Sequence, residues 1–257
     1  METSNWTAGN TLITGAAGGI GWQVADRLLR TDANSRCMVI DRSIDALEGL
    51  QDTYGRDRVF ISACDVSNRE DVVDTVKMAS TWCGGITGLV NCAGNQLSMP
   101  SINMTAEQWH SVLDVHLDGS LFASQAVAHD MIRAGRGAIV NVASVAMYFG
   151  FKGRLPYGVA KAGIGAMTRG LAVEWAEHGI RVNAVAPGYV NSSMVEAAMS
   201  RGDIDETVID AHALGRFAET EEIATVIEFL LGPGSSFMTG EVVNVDGGFS
   251  IYKLLTR

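Results

Sequence analysis

The chain is short of positive charge. It has 19 lysines and arginines against 29 aspartates and glutamates, a formal net charge of -10 over 257 residues. That speaks against a nucleic-acid partner, which is held through clustered cations, and more weakly against an acidic protein partner or an anionic membrane. Its four cysteines, Cys37, Cys64, Cys83 and Cys92, show none of the short paired spacings of zinc or redox sites. Each sits in or near an apolar stretch, where a buried free thiol is the expected state, and no metal is expected. No apolar run approaches the roughly 18 residues of a membrane span. The opening METSNWTAGN lacks the charged-then-apolar pattern of a signal peptide. These absences lead to the expectation of a soluble protein in a reducing, cytoplasmic setting. With no Pro- or Ser-rich linker and no internal repeat, one domain spanning 1–257 is the economical reading.

What is present is enough apolar material for a sizeable core: 47% hydrophobic residues against 19% charged. Short apolar runs at 11–14, 37–41, 59–63, 88–91, 138–144, 181–187 and 241–246 read as strands. Several are apolar on successive residues, as parallel strands covered on both faces should be. Helix-length patterns lie between them, near 19–30, from 105 toward 131, over 157–177 and from 220. TAEQ at 105–108 offers a capping box, Gly179 a helix stop, and Glu221 and Glu222 suit a helix N-terminus. Alternating strands and helices predict an α/β fold: a doubly wound, Rossmann-like parallel sheet of about seven strands with helices on both faces.

TGAAGGIG, residues 14–21, places four glycines in eight residues where the first strand should give way to the first helix. Glycine there lets a pyrophosphate approach the backbone at a helix N-terminus, where free amides favour negative charge; a tight turn with close packing is the plainer alternative. Asp41 ends the second strand 20 residues beyond Gly21, where a carboxylate can accept hydrogen bonds from an adenosine ribose.

The glycine spacing Gly15-x-x-Gly18-Gly19-x-Gly21 resembles the T-G-x-x-x-G-I-G of the short-chain dehydrogenase/reductase family, and the resemblance runs over nearly the whole chain. Asp65-Val66 resembles the family's adenine-contacting turn. Asn91-Cys92-Ala93-Gly94 resembles its N-N-A-G, with cysteine in the second place. Ser144 and Tyr157-Gly158-Val159-Ala160-Lys161 resemble its catalytic serine and Y-x-x-x-K, thirteen residues apart. Pro187-Gly188 resembles the family's P-G motif, with Val190 following, and Ser192 stands where a cofactor-contacting threonine is usual. The resemblance implies nicotinamide-cofactor binding by Gly15, Gly18, Gly19, Ile20, Gly21, Asp41, Arg42, Asp65, Val66, Asn91, Ala93, Gly94, Tyr157, Lys161, Pro187, Gly188, Val190 and Ser192.

Tyr157 and Lys161, four apart, share one helix face. An ammonium nearby, with the oxidised nicotinamide, would favour the phenolate, so that Tyr157 exchanges a proton with an alcohol or ketone oxygen while hydride passes. Ser144 would hydrogen-bond that oxygen, and Lys161 would hold the nicotinamide ribose, as the family implies. Asp41 should repel a 2'-phosphate, and Ala17 stands where many NADP users carry a basic residue. Arg42 pulls the other way, but NAD is favoured over NADP. The stretch 145–156 is apolar and aromatic, with Lys152 and Arg154 nearby. The expected lid at 189–215 holds Met194 and Met199 with five acids, Glu196, Asp203, Asp205, Glu206 and Asp210. That composition suits a neutral alcohol, polyol, sugar or cyclic ketone better than a highly anionic one.

The family's usual V-N-L is Val115-His116-Leu117 here. His116 is either a backbone-bonded filler in a helix kink or a member of a proton relay, with an unperturbed pKa near 6.5. The leading reading is an NAD-dependent secondary alcohol dehydrogenase or ketone reductase. A 3-oxoacyl-carrier-protein reductase and a catalytically idle NAD-binding regulatory protein are the alternatives. The resemblance also implies a homo-oligomer, a tetramer, paired through the helices near 105–131 and 157–177 and through apolar 249–255.

Overall fold

Parallel strands that bury both faces need apolar side chains at most positions, and the strands of this chain largely supply them. The computed structural model describes residues 9–202, 204 and 207–253. In chain order it runs β1 (Asn10–Thr14), α1 (Gly19–Thr31), β2 (Arg36–Asp41), α2 (Glu48–Tyr54), β3 (Val59–Ala63), α3 (Arg69–Cys83) and β4 (Gly88–Asn91). Then come α4 (Ala106–Leu113), α5 (Gly119–Ala134), β5 (Gly137–Val142), α6 (Leu155–Trp175), β6 (Ile180–Pro187), α7 (Ser193–Ser200), α8 (Thr207–Asp210), α9 (Thr220–Leu231) and β7 (Val242–Val245). The seven strands form one sheet in the order β3-β2-β1-β4-β5-β6-β7, every pair parallel.

Alternate residues divide between two cores. Ile13, Val39, Val90 and Val140 face the layer of α1 and α9, with Val24, Leu28, Ile223 and Ile227. Their neighbours Leu12, Met38, Leu89 and Ile139 face the opposite layer, with Val72, Val76, Val127, Met131 and Leu171. Each such side chain is worth about 1.5–3 kcal/mol on full burial, so a strand apolar on both faces has no register in which it could face water.

The seven strands predicted from the sequence are present to within two residues at either end. The capping box at Thr105 forms, with the Gln108 amide 3.2 Å from the Thr105 hydroxyl and the Thr105 amide 3.0 Å from the Gln108 side chain. α6 begins two residues earlier than expected because Pro156 fits its first turn, where no amide partner is needed. The helix expected over 105–131 is not continuous. A π-helical turn, Asp114–Asp118, separates α4 from α5 and carries His116. α2 and α3 were not among the sequence expectations. Asn68 caps α3 by accepting from the Glu70 and Asp71 amides.

Candidate active site

Strand order reverses between β1 and β4, and open parallel sheets form a crevice beyond the strand ends at such a point. The loops leaving these two strands are tied together. The Thr14 hydroxyl accepts from the Cys92 and Ala93 amides, each at 3.1 Å. Gly15 has φ +66°, and a Cβ there would come within 2.6 Å of the Ala93 backbone, so only glycine lets the loops close on each other. Above them lies a cleft of about 340 Å³. Gly15, Gly18, Gly19, Ile20, Asp41, Arg42, Asp65, Val66, Ala93 and Gly94 line it from one side. His116, Ser144, Tyr157, Lys161, Pro187, Gly188, Val190 and Ser192 line it from the other. Gly21 and Asn91 are not part of its wall.

Asn91 has a different environment from the one its motif implies. Its amide nitrogen donates to Asn141 Oδ1 at 2.8 Å and Ser124 Oγ at 3.1 Å, and Asn141 donates on to Thr168 at 2.9 Å. All four side chains are buried. This chain of hydrogen bonds fastens β4, β5, α5 and α6 beneath the cleft.

The residues present fit a dinucleotide. The first turn of α1 is entered through Gly18, with no side chain capping its amides and no acid among them, and a Cβ on Gly18 would touch nothing. That is a cradle for an anionic group. Asp41 is half-buried at the end of β2, its carboxylate accepting from the Ala17 amide at 3.1 Å and the Arg42 amide at 2.7 Å. Asp65 accepts from the Ser67 hydroxyl and amide, which lowers its pKa.

At the other end, β5 stops at Val142 and the chain turns over Val145–Met147, leaving Ser144 at the rim. Ser144 caps that turn, its hydroxyl accepting from the Ala146 amide at 3.1 Å, and also hydrogen-bonds Tyr157. Lys161 is 6% exposed, and its Nζ donates to the Val142 carbonyl at 2.6 Å and lies 5.6 Å from the Tyr157 ring centre. Burial lowers the Lys161 pKa to about 8. Burial also raises that of Tyr157 above the ordinary tyrosine value, outweighing the Ser144 hydrogen bond and the charge of Arg154, which lower it. The protein's own groups thus hold the phenol's pKa above its ordinary value; the expected phenolate-favouring balance involves the oxidised nicotinamide together with the ammonium.

His116 packs edge-on against the Tyr157 ring, centres 5.4 Å apart, and is 2% exposed. A Cβ at Gly94 would overlap its Cε1, so Gly94 makes room for the imidazole. His116 Nε2 lies 3.1 Å from the Asn95 amide and 2.8 Å from the Asn95 carbonyl oxygen. Whichever tautomer is present, Nδ1 is buried without a partner among the described residues. Burial and the charge of Lys161 push its pKa down to about 3, so the ordinary value near 6.5 does not apply here.

The family described as enoyl-(acyl carrier protein) reductase matches residues 15–250. Gluconate 5-dehydrogenase of Gluconobacter oxydans is 31% identical over 93% of this chain and 94% of its own. The 3-oxoacyl-[acyl-carrier-protein] reductase of Thermotoga maritima is 37% identical over 93% and 97%. The crystal structure of levodione reductase superposes with a TM-score of 0.90 at 32% identity, covering 96% of this chain and all of that one. The chain is a short-chain dehydrogenase/reductase. It is an oxidoreductase of the alcohol–ketone type, using a nicotinamide cofactor.

In this dehydrogenase/reductase the segment expected to form the lid includes α7, and its Met194, Val195, Ala198 and Ile204 line the cleft. Glu196 and Asp210 are exposed and outside its wall; Asp203, Asp205 and Glu206 lie outside the described residues, as do Leu254 and Leu255 of the C-terminal segment. Asn95, Gln96, Phe151 and Tyr189 also line the cleft and were not among the sequence-derived site residues. Their positions beside Gly94, the 145–156 stretch and Gly188 were the available signal. No group of histidine, cysteine and acidic side chains among the described residues could hold a metal, and no described helix is long and apolar enough to cross a membrane.

Proposed function

We propose that this protein is an NAD(H)-preferring dehydrogenase/reductase that interconverts a secondary alcohol and its ketone, with Tyr157 as acid and base. The observation that carries this reading is the convergence of Ser144, Tyr157 and Lys161 on the cleft that the glycine loop opens into. Bound nicotinamide supplies or accepts the hydride. Tyr157 gives its phenolic proton to the ketone oxygen in reduction and takes a proton from the hydroxyl in oxidation. The resulting phenolate is stabilised by the hydrogen bond from Ser144 and by the charges of Arg154 and Lys161. Ser144 also holds the substrate oxygen as its charge changes. Lys161, fixed by the Val142 carbonyl, faces the ribose.

Gly15, Gly18, Gly19 and Ile20 would cradle the pyrophosphate, with Gly21 closing the turn behind them. Asp65, Val66 and Arg42 would flank the adenine. Ala93, Gly94, Pro187, Gly188, Val190 and Ser192 would flank the nicotinamide half. The Asp41 carboxylate only accepts hydrogen bonds, so it suits a ribose diol and repels a 2'-phosphate. His116 acts as a positioning residue: its neutral ring braces Tyr157. Exposed Leu155, Val159 and Val173 on α6, with Ile251 beyond β7, support a homotetramer; a monomer mass by light scattering at micromolar concentration would contradict it. The four free cysteines suit a reducing, cytoplasmic compartment.

A panel of secondary alcohols with NAD+, followed by the absorbance of NADH, tests the activity. NADH should form with at least one alcohol and more slowly when NADP+ replaces NAD+. Failure with the whole panel would favour a regulatory role. The similarity to the Thermotoga maritima reductase gives a second reading, reduction of a 3-oxoacyl thioester. Faster turnover of acetoacetyl-pantetheine with NADPH than of any free ketone with NADH would select it.

A further inference from the structure

We propose that Arg154 is an anion-binding residue of the substrate pocket, and that the alcohol or ketone turned over here carries a carboxylate or phosphate within a few bonds of its reacting carbon. The inference deepens the oxidoreductase reading and rests on it for the word substrate. Arg154 lines the cleft, and its Nη2 is buried with no hydrogen-bond partner among the described residues. No described carboxylate forms an ion pair with it. The acids on the cleft wall are Asp41 and Asp65, both on the adenine side and both already accepting from backbone amides. A guanidinium is charged at every working pH. Leaving one partly buried and unpaired is costly unless an anion meets it.

Its placement sets the geometry. Arg154 precedes α6, with its amide donating to the Phe151 carbonyl at 3.1 Å and its carbonyl accepting from Gly158 at 3.0 Å, so the backbone beneath the side chain is fixed. Arg154 stands three positions before Tyr157, with Leu155 and Pro156 between them. It is the residue that caps the start of α6, and Tyr157 lies in that helix's first turn. The cation and the proton donor both line the cleft, and the charge of Arg154 reaches the phenols of both Tyr157 and Tyr189. The cleft wall also holds apolar Ala146, Phe151, Met194 and Val195 and the neutral hydrogen-bonding Asn95, Gln96, Tyr189 and Ser193, so Arg154 and Lys161 are its full cations beyond the adenine side. Of the acids that suggested an uncharged substrate, the described Glu196 and Asp210 stand outside the wall.

The test compares three small ketones of similar shape: 3-oxobutanoate, 4-phosphooxy-2-butanone and neutral 3-oxobutanamide. Each is titrated calorimetrically into NAD+-saturated protein, where no reduction can occur, using the wild type, Arg154→Gln, Arg154→Lys and Lys152→Gln. At least one anion should bind about ten-fold or more tightly than the amide, and which one binds separates carboxylate from phosphate. Arg154→Gln should abolish the preference and Arg154→Lys keep part of it. Lys152→Gln, an exposed neighbour outside the cleft wall, should keep all of it. Equal or absent binding of both anions by the wild type, or a preference that survives Arg154→Gln, overturns the proposal. Turnover of the same ketones with NADH is read separately. An Arg154-dependent preference without NADH consumption refutes the oxidoreductase reading alone, whereas NADH consumption without the preference refutes the anion site alone.

Discussion

Replacing Lys161 with methionine removes a buried charge, and the effect on stability should depend on pH in a specified direction. Burial lowers the pKa of Lys161 from 10.5 to about 8 in the folded protein. Unfolding returns it to its ordinary value. Between the two values the unfolded chain binds a proton that the folded chain does not, so stability rises with pH across that window. The penalty is fully present below pH 8 and is relieved as pH approaches 10.5. At 1.36 kcal/mol per tenfold it amounts to roughly 3 kcal/mol at pH 7 and about 1 kcal/mol at pH 10. Lys161→Met has no such dependence. Its other losses, including the hydrogen bond to Val142, are common to both pH values and cancel in the comparison. The stability of wild type minus that of the variant should therefore rise by about 2 kcal/mol from pH 7 to pH 10. Urea denaturation at fixed protein concentration and ionic strength, followed by tryptophan fluorescence, measures it. A difference flat to within about 0.5 kcal/mol would refute the claim that Lys161 is buried without a compensating anion.

Two further outcomes are expected. Asp41→Ala should shift the ratio of NADPH to NADH affinity toward NADPH by about ten-fold or more, because a charged acceptor is removed from the ribose; an unchanged ratio by calorimetry would contradict the assignment. His116→Ala should slow turnover with NADH affinity nearly intact, and His116→Asn should recover much of the loss. Because burial holds the His116 pKa near 3, the acidic limb of the pH–rate profile above pH 5 should be the same in wild type and His116→Asn. A limb near pH 6.5 that vanishes in the variant would show a titrating imidazole instead.

Much of the fold was legible because burial on both faces leaves a strong mark in sequence. Leu12-Ile13, Met38-Val39, Leu89-Val90 and Ile139-Val140 each send adjacent apolar side chains to opposite cores. α3 also carried a signal, with Val72, Val76, Ala79 and Cys83 at helical spacing, but its many polar residues obscured the stripe. The π-helical turn at Asp114–Asp118 left none, since one widened turn barely shifts the apolar period. The site residues within motifs came from the resemblance to the family, and all but Gly21 and Asn91 lie on the cleft wall. What the motifs could not give was environment. Asn91 is absorbed by Asn141 and Ser124, and Arg154 is left without a partner, because both outcomes depend on which strands and helices become neighbours.

Catalysis through the Tyr157 proton is tested most directly by following NADH absorbance for wild type and Tyr157→Phe side by side with a ketone that the wild type reduces. The ring of the variant still packs against His116, so NADH affinity should be kept while the rate falls by roughly 10²–10⁴-fold. A Tyr157→Phe protein that keeps more than about a tenth of the wild-type rate would contradict it.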